Sequence, residues 1–161
     1  MSKPPRIVAD EAMAAAEPHF VAPGLIDATG PAPRLVAGRC NGCGALGFPK
    51  SAVCPACLSQ DIGTAHLASE GVLYSFATVH QAPRNWIVPY HLGYVDLTNG
   101  IRVLAHIEGT PQIDGKVRLG LGRVGTDADG AALLSYVFSS IPGADDSRAG
   151  SRPLALLGDI T

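Results

Sequence analysis

Two C-x-x-C pairs standing close together constrain the fold of this chain more than any other feature. Cys40 and Cys43 form the first pair, and Cys54 and Cys57 form the second. A C-x-x-C pair can fold as a tight knuckle that directs two thiolates to one ion, and a second knuckle completes a tetrahedron with metal–sulfur distances of roughly 2.3 Å. Because the chain has only these 4 cysteines, the spacing predicts one four-thiolate metal site.

Zinc in a structural role is the metal that this ligand set favours. A catalytic zinc keeps three protein ligands and an open position, whereas a closed set of four thiolates holds a fold together. Iron in a rubredoxin-like site is the main alternative. Disulfide bonds between the cysteines are a second alternative to a metal site. However, a C-x-x-C disulfide closes too small a loop to stabilise the fold much, and nothing in the sequence suggests export. We therefore predict a structural Zn²⁺ bound by Cys40, Cys43, Cys54 and Cys57.

The residue that follows each pair differs between the two knuckles. Gly44 follows Cys43, where the backbone of a knuckle needs a positive φ that costs glycine nothing. Leu58 occupies the equivalent position after Cys57. The sequence therefore predicts that the second knuckle is the less regular one.

Composition narrows the classes of function. The chain has 161 residues, 47% of them hydrophobic and only 6% aromatic, and its 19 glycines suit tight turns and slender strands better than a helical bundle. Its 12 basic and 14 acidic residues give a formal charge of -2, which predicts no general attraction to nucleic acid or to an anionic membrane.

No apolar run approaches the roughly 18 residues that span a bilayer, and we find no signal peptide. We expect a cytoplasmic protein without a membrane segment, since reduced cysteines fit a reducing compartment.

The order of patterns along the chain predicts a mainly β fold in four segments. Residues 1–33 form an N-terminal arm rich in proline, with one short helix predicted over 11–17. Residues 34–69 carry the zinc ribbon with rubredoxin-like knuckles, and residues 70–139 form an OB-fold domain. Residues 140–161 form a tail with an apolar end. The arm and the tail pack either on this chain or on a partner, and a disordered tail is the alternative for the first ten residues.

Period-2 alternation and turn signals predict the strands of the OB domain. In 101–108, Val103, Ala105 and Ile107 alternate with polar residues, as in a strand with one buried face. Asn99-Gly100 predicts a type I′ hairpin just before it. Five strands within about 70 residues, joined by tight turns and one longer loop, are typical of a small closed barrel of the OB type. The predicted strands are 72–80, 92–97, 101–108, 116–124 and 131–138.

The longest break between the predicted strands is the loop 81–89, which we interpret as a partner-binding surface. It contains Arg84, the only tryptophan Trp86, Ile87 and Val88, and several of these residue types are enriched among interface hot spots. In the alternative interpretation, Trp86 plugs the end of its own barrel.

The sequence offers no self-sufficient active site. Residues 120–125 match G-x-G-x-x-G, but a dinucleotide fingerprint follows a strand and opens a helix, whereas this match lies within a predicted strand. The 5 histidines have no metal-ligand spacing, and no cysteine remains as a nucleophile once zinc binds all four. We predict no catalytic residue, and an enzyme that works alone ranks last among the functions considered.

Several short stretches together resemble one known family. Over residues 34–138 the chain resembles the zinc-ribbon plus OB-fold acyl-CoA-associated family named domain of unknown function 35. Lys50-Ser51 and Leu58 depart from the family, which often has Pro-Arg and Gly there, so the ribbon surface differs while the metal site is kept. The stretches that carry the resemblance are 40–44, 48–49, 54–57, 71–80, 89–90, 95–97 and 119–120.

That resemblance implies a non-catalytic companion of a thiolase-superfamily enzyme. The partner would be a thiolase, a thiolase-like aldolase or a hydroxymethylglutaryl-CoA synthase, held in a stable hetero-oligomer with an acyl-CoA as the substrate of the complex. The barrel would contact the enzyme and help to form the entrance for the CoA moiety.

A single-stranded nucleic-acid-binding OB protein is the alternative function. Tyr74, Phe76, Tyr90 and Tyr94 are aromatic residues on which bases stack in such proteins. The acidic balance of the chain counts against this function, because affinity for phosphates comes largely from Lys and Arg.

Overall fold

A computed structural model describes residues 18–141 of the chain, which form ten β-strands and no helix within that range. The helix predicted over 11–17 and the tail beyond residue 141 lie outside the described residues, and the limits of the four segments stay a prediction. The strands are β1 His19–Phe20, β2 Ile26–Asp27, β3 Arg34–Cys40, β4 Leu46–Gly47, β5 Ile62–His66, β6 Glu70–Val79, β7 Tyr90–Leu97, β8 Arg102–Glu108, β9 Lys116–Thr126 and β10 Ala132–Ser140.

Strands β6 to β10 close into a barrel, which confirms the predicted five-stranded OB architecture. The order around the barrel is β6, β7, β8, β10 and β9, and β9 pairs again with β6. Neighbouring strands are antiparallel except for β8 and β10, which are parallel. The alternation on β8 places Val103, Ala105 and Ile107 inside the barrel, while Arg102 and Glu108 face solvent. Burial of one face is what the period-2 pattern predicts.

The hairpin between β7 and β8 is correctly located, but its turn is not the predicted type I′. That turn needs a positive φ at both central residues, whereas φ is positive at Gly100 (82°) and not at Asn99. The Gly100 N–H donates to the Leu97 carbonyl at 2.9 Å, and the Leu97 N–H donates to the Ile101 carbonyl at 2.9 Å. These bonds define a three-residue loop, 98–100, that ends in a left-handed glycine. Strand pairing of Asp96 with Arg102 fixes that length.

The zinc-ribbon part is a small sheet built around β3. Strands β4 and β5 pair with β3 in antiparallel fashion, and β2 pairs with the beginning of β3. Strand β1 instead joins the barrel, where His19 and Phe20 run parallel to β10. The described part of the N-terminal arm therefore packs on its own chain.

Ribbon and barrel share one hydrophobic core. Leu35 and Ala37 of β3 and Leu67 beyond β5 are buried in the same cluster as the inward side chains of the barrel. The Leu67 N–H donates to the Leu35 carbonyl at 3.0 Å, which ties the connector to the ribbon sheet. The barrel contributes Leu73, Val95, Leu97, Val103, Ala105, Ile107, Val117, Leu119 and Phe138 to this cluster.

Candidate metal centre and interaction surfaces

The four cysteine sulfurs converge on one point, as the spacing predicts. All four lie within 4.8 Å of one another. The Sγ atoms of Cys40 and Cys57 are 3.5 Å apart, and those of Cys43 and Cys54 are 3.6 Å apart. Tetrahedral coordination with 2.3 Å bonds requires sulfur–sulfur distances of roughly 3.8 Å. The cluster therefore fits one tetrahedrally coordinated ion.

The two knuckles have the same backbone conformation, so the prediction of a less regular second knuckle is wrong. The Gly44 N–H donates to the Cys40 carbonyl at 2.8 Å, and the Leu58 N–H donates to the Cys54 carbonyl at 2.9 Å. Gly44 has a φ of 76° and Leu58 a φ of 61°. Leu58 takes the left-handed conformation although its Cβ makes that conformation costly. The geometry of the knuckle therefore prevails over the preference of the residue.

The thiols differ in acidity because their hydrogen bonds differ. The backbone N–H of Cys43 lowers the pKa of Cys40 to about 6, and the backbone N–H of Cys57 lowers the pKa of Cys54. At Cys57 the backbone N–H of Ser59 favours the thiolate, but the sulfurs of Cys43 and Cys40 outweigh it and raise the pKa to about 12. Thiolates this close repel one another, and a dication at their centre offsets the repulsion.

The loop 81–89 lies on the outer surface of the barrel, and its tryptophan contributes little to the shared core. The Trp86 ring stacks on the His106 ring with centroids 5.6 Å apart and an interplanar angle of 24°. Tyr90 completes the cluster, with its centroid 4.6 Å from His106 and 6.0 Å from Trp86. Trp86 is half-buried and absent from the core cluster. It therefore covers the side of the barrel and does not plug its end.

His106 is the residue that Trp86 covers. Burial lowers the pKa of His106. Within residues 18–141 its Nε2 has no hydrogen-bond partner. Desolvation favours the neutral imidazole, whose ring suits stacking between two aromatic side chains.

Backbone contacts also hold the loop on β9. The Ile87 N–H donates to the Val124 carbonyl at 2.9 Å, and the Thr126 N–H donates to the Asn85 carbonyl at 2.8 Å. Gly125 lies between these two bonds, and a Cβ there would collide with the Asn85 carbonyl oxygen and come within 3.3 Å of the Trp86 Cα. The close approach of the loop therefore requires glycine at this position.

The four residues predicted to bind a partner are in two different environments. Arg84, Ile87 and Val88 are exposed, whereas Trp86 is packed on its own chain. Two residues that matter here, His106 and Gly125, were not predicted from the sequence. Gly125 carried a signal, since it is the last glycine of the G-x-G-x-x-G match, and its role is backbone approach and not phosphate binding. His106 carried none, because nothing in its neighbourhood along the chain indicates a tryptophan 20 residues earlier.

A second apolar surface lies on the outer face of β6, β7 and β8. Tyr74, Tyr94 and Leu104 are exposed there. Arg102 lies over the Tyr74 ring at 3.6 Å from its centroid and donates two hydrogen bonds, of 2.5 and 2.8 Å, to the Asp96 carboxylate. The one cation of this patch is thus paired within the chain.

Comparison with known protein families identifies both parts of the chain. Residues 30–63 match the family model described as ChsH2, rubredoxin-like zinc ribbon domain. Residues 65–121 match the model described as ChsH2, C-terminal OB-fold domain. A relative in Pyrococcus furiosus, a DUF35 domain-containing scaffold protein, is 30% identical over 115 residues, covering 67% of this chain and 84% of the relative. The chain belongs to the DUF35 family.

Relatives of this DUF35 chain include subunits of a named enzyme. The benzoylsuccinyl-CoA thiolase subunit BbsA of Thauera aromatica is 38% identical over 127 residues, covering 76% of this chain and 88% of the relative. The subunit of the same name in Geobacter metallireducens is 35% identical and covers 68% of this chain and 76% of the relative. A solved structure titled Ltp2-ChsH2(DUF35) aldolase matches with a TM-score of 0.56 and 31% identity, over 66% of this chain and 84% of its own.

The zinc-ribbon match and the sulfur cluster agree on the metal. The family model is a rubredoxin-like zinc ribbon, and the four sulfurs that would bind the ion are those of Cys40, Cys43, Cys54 and Cys57. Structural Zn²⁺ is therefore the cofactor of this DUF35 chain. In residues 18–141, no helix is long and apolar enough to cross a membrane.

Proposed function

We propose that this DUF35 chain is a non-catalytic subunit that binds and supports a thiolase-superfamily enzyme in acyl-CoA metabolism. The observation that carries the proposal is the 38% identity to a benzoylsuccinyl-CoA thiolase subunit over 88% of that subunit. The solved relative whose title names an Ltp2-ChsH2(DUF35) aldolase supports the same class of partner. The partner is a thiolase, a thiolase-like aldolase or an enzyme of the hydroxymethylglutaryl-CoA synthase type, and the two chains form a stable hetero-oligomer.

The metal centre supports a role without chemistry of its own. Four thiolates saturate a tetrahedral zinc and leave no coordination position for water or for a carbonyl oxygen. The site also uses all 4 cysteines of the chain. A thiol nucleophile for acyl transfer must then come from the larger chain. The zinc keeps the ribbon folded, and the ribbon in turn packs Leu35 and Ala37 into the core of the barrel.

Two finer features belong to the same proposal. The barrel helps to form the entrance through which the CoA moiety reaches the active site of the partner, and the acyl-CoA is a substrate of the complex as a whole. The complex works in the cytoplasm, where a reducing environment keeps the four cysteines available as thiolates.

Purification of a thiolase-like partner enzyme, with and without this chain, tests the proposal. We expect a complex that survives gel filtration, together with loss of activity and of the native oligomer when the DUF35 chain is left out, and recovery on mixing. Full activity and an unchanged oligomer without this chain would refute the subunit role. Turnover of an acyl-CoA by the isolated chain would refute the absence of catalysis.

A further inference from the structure

Ile87 and Val88 expose apolar side chains to solvent, although hydrogen bonds fix the main chain of their segment. Ile87 is 51% exposed and Val88 is 43% exposed. The backbone bonds of Asn85 and Ile87 to β9 hold the segment, and Trp86 between them is stacked on His106. Because the main chain of the segment is already ordered, little backbone entropy is lost when a partner covers these side chains.

Arg84 stands beside these residues, and the part of the chain that the structure describes offers it no counter-ion. Within residues 18–141, no acidic group lies within ion-pair distance of Arg84, whereas Arg34, Arg102 and Arg118 each pair with a carboxylate. The surface thus combines two aliphatic side chains with one exposed cation that can pair across an interface.

We propose that Ile87 and Val88 are the anchor of the chain on its thiolase-like partner, where they enter an apolar depression with an acidic group at the rim for Arg84. Trp86 is a positioning residue: it holds Ile87 and Val88 in place and does not contact the partner. The inference rests on the proposed function and names the surface it uses. A second copy of this chain suits the surface less well, because an isologous contact would bring two Arg84 cations into one small interface.

A pair of isoleucine substitutions tests the anchor. Ile113 is 55% exposed in the turn before β9, so Ile113→Ser removes an aliphatic side chain of the same type and similar exposure elsewhere on the surface. We expect Ile87→Ser to raise the Kd for the thiolase-like enzyme by about tenfold or more, as truncation of a hot-spot residue does. Ile113→Ser should leave the Kd unchanged.

A pair of glycine substitutions on β9 tests the positioning role without altering any side chain of the loop. Gly125→Ala forces the loop away from β9, whereas a Cβ on Gly120 meets only the Val137 side chain at an ordinary 3.8 Å. We expect Gly125→Ala to speed hydrogen exchange at the Ile87 amide and to weaken the complex, and Gly120→Ala to do neither. Trp86→Ala should act like Gly125→Ala, and Trp86→Phe should restore much of the affinity because a phenyl ring still stacks on His106.

The outcomes separate this inference from the proposed function. If the wild-type chain forms no complex with the enzyme, the subunit role fails and the anchor fails with it. If the wild-type complex forms but Ile87→Ser and Ile113→Ser bind equally well or equally badly, the anchor alone is overturned. An isolated wild-type chain that sediments as a dimer and becomes monomeric on Ile87→Ser would assign the surface to a second copy and overturn the thiolase-like occupant.

Discussion

The Phe48 ring in the ribbon packs edge to face on the Tyr136 ring in the barrel. The ring centroids are 6.0 Å apart and the interplanar angle is 79°. The Tyr136 hydroxyl donates a 3.0 Å hydrogen bond to the Leu104 carbonyl on β8, and burial raises the pKa of Tyr136. Edge-to-face contact is the arrangement that the charge distribution of aromatic rings favours. The pair links the segment between the two knuckles directly to the barrel wall.

Loss of this ring contact should destabilise the whole chain. Phe48 is half-buried against the shared core, so Phe48→Ala should cost about 1.5–3 kcal/mol of unfolding free energy, less than a fully buried phenylalanine. Tyr136→Phe keeps the ring and removes the hydroxyl, and it should cost about 1 kcal/mol. Urea unfolding of Phe48→Ala, Tyr136→Ala and the double variant should give a coupling energy of about 0.5–1.5 kcal/mol. A coupling energy near zero would mean that the contact contributes nothing beyond burial.

Replacement of a zinc ligand should abolish the ordered ribbon and weaken the barrel. Cys40→Ser leaves three thiolates, and the purified variant should lose its one equivalent of zinc by elemental analysis. Because Leu35 and Ala37 of β3 belong to the shared core, the melting temperature should fall by about 10 °C or more while most of the β signal in circular dichroism remains. Iron in place of zinc in the wild-type protein would show that the site was assigned the wrong metal.

Leu58→Gly should stabilise the protein. Leu58 has a φ of 61° and is 77% exposed, so glycine relieves the left-handed conformation while little burial is lost. The expected gain is about 1 kcal/mol in the zinc-bound state. Gly44→Ala is the matched opposite change, because nothing lies within 4 Å of its added Cβ and its cost is conformational only. Equal stability of Leu58→Gly and the wild type in urea unfolding would contradict the expected strain.

Asp27 should make stability depend on pH. Hydrogen bonds from the Thr29 hydroxyl and backbone N–H, followed by the charges of Arg34 and His66, lower the pKa of Asp27 from 3.8 to about 2. A lowered pKa in the folded state means stabilisation that is nearly complete above about pH 5 and is lost as the pH falls toward 2. The difference in melting temperature between the wild type and Asp27→Asn should therefore be larger at about pH 5 than at about pH 3, and it should shrink further toward pH 2. Zinc release at low pH affects both proteins and largely cancels in this difference.

Single-stranded nucleic acid should not bind to the barrel. Of the four aromatic residues considered, Tyr90 packs against His106, Phe76 packs against His91 while staying 38% exposed, and Tyr74 and Tyr94 are exposed on the outer face. Arg102, which lies over the Tyr74 ring, is paired with Asp96, so this cation is not free to track phosphates. Fluorescence anisotropy with a labelled oligothymidine at low salt should show no binding. Salt-sensitive binding that Arg102→Ala abolishes would revive the alternative function.

The metal centre and the barrel strands could be predicted from the sequence because both depend on short-range patterns. Two C-x-x-C pairs are each a local turn, and Val103, Ala105 and Ile107 mark a buried face through alternation alone. The position of the hairpin at Gly100 followed from the same kind of signal, although its type did not, since loop length depends on how Asp96 and Arg102 pair across two strands.

The tertiary structure alone decided where the loop 81–89 lies and which of its residues face solvent. The sequence indicated an aromatic and aliphatic cluster, but Trp86 could meet a partner, the end of the barrel or its side with equal local plausibility. His106 on β8 and Gly125 on β9 determine where the loop packs. His106 offers a desolvated ring on which Trp86 stacks, and Gly125 allows the backbone of the loop to approach β9. Both contacts join residues 20 or more positions apart, and contacts of that range depend on chain packing that no local pattern encodes.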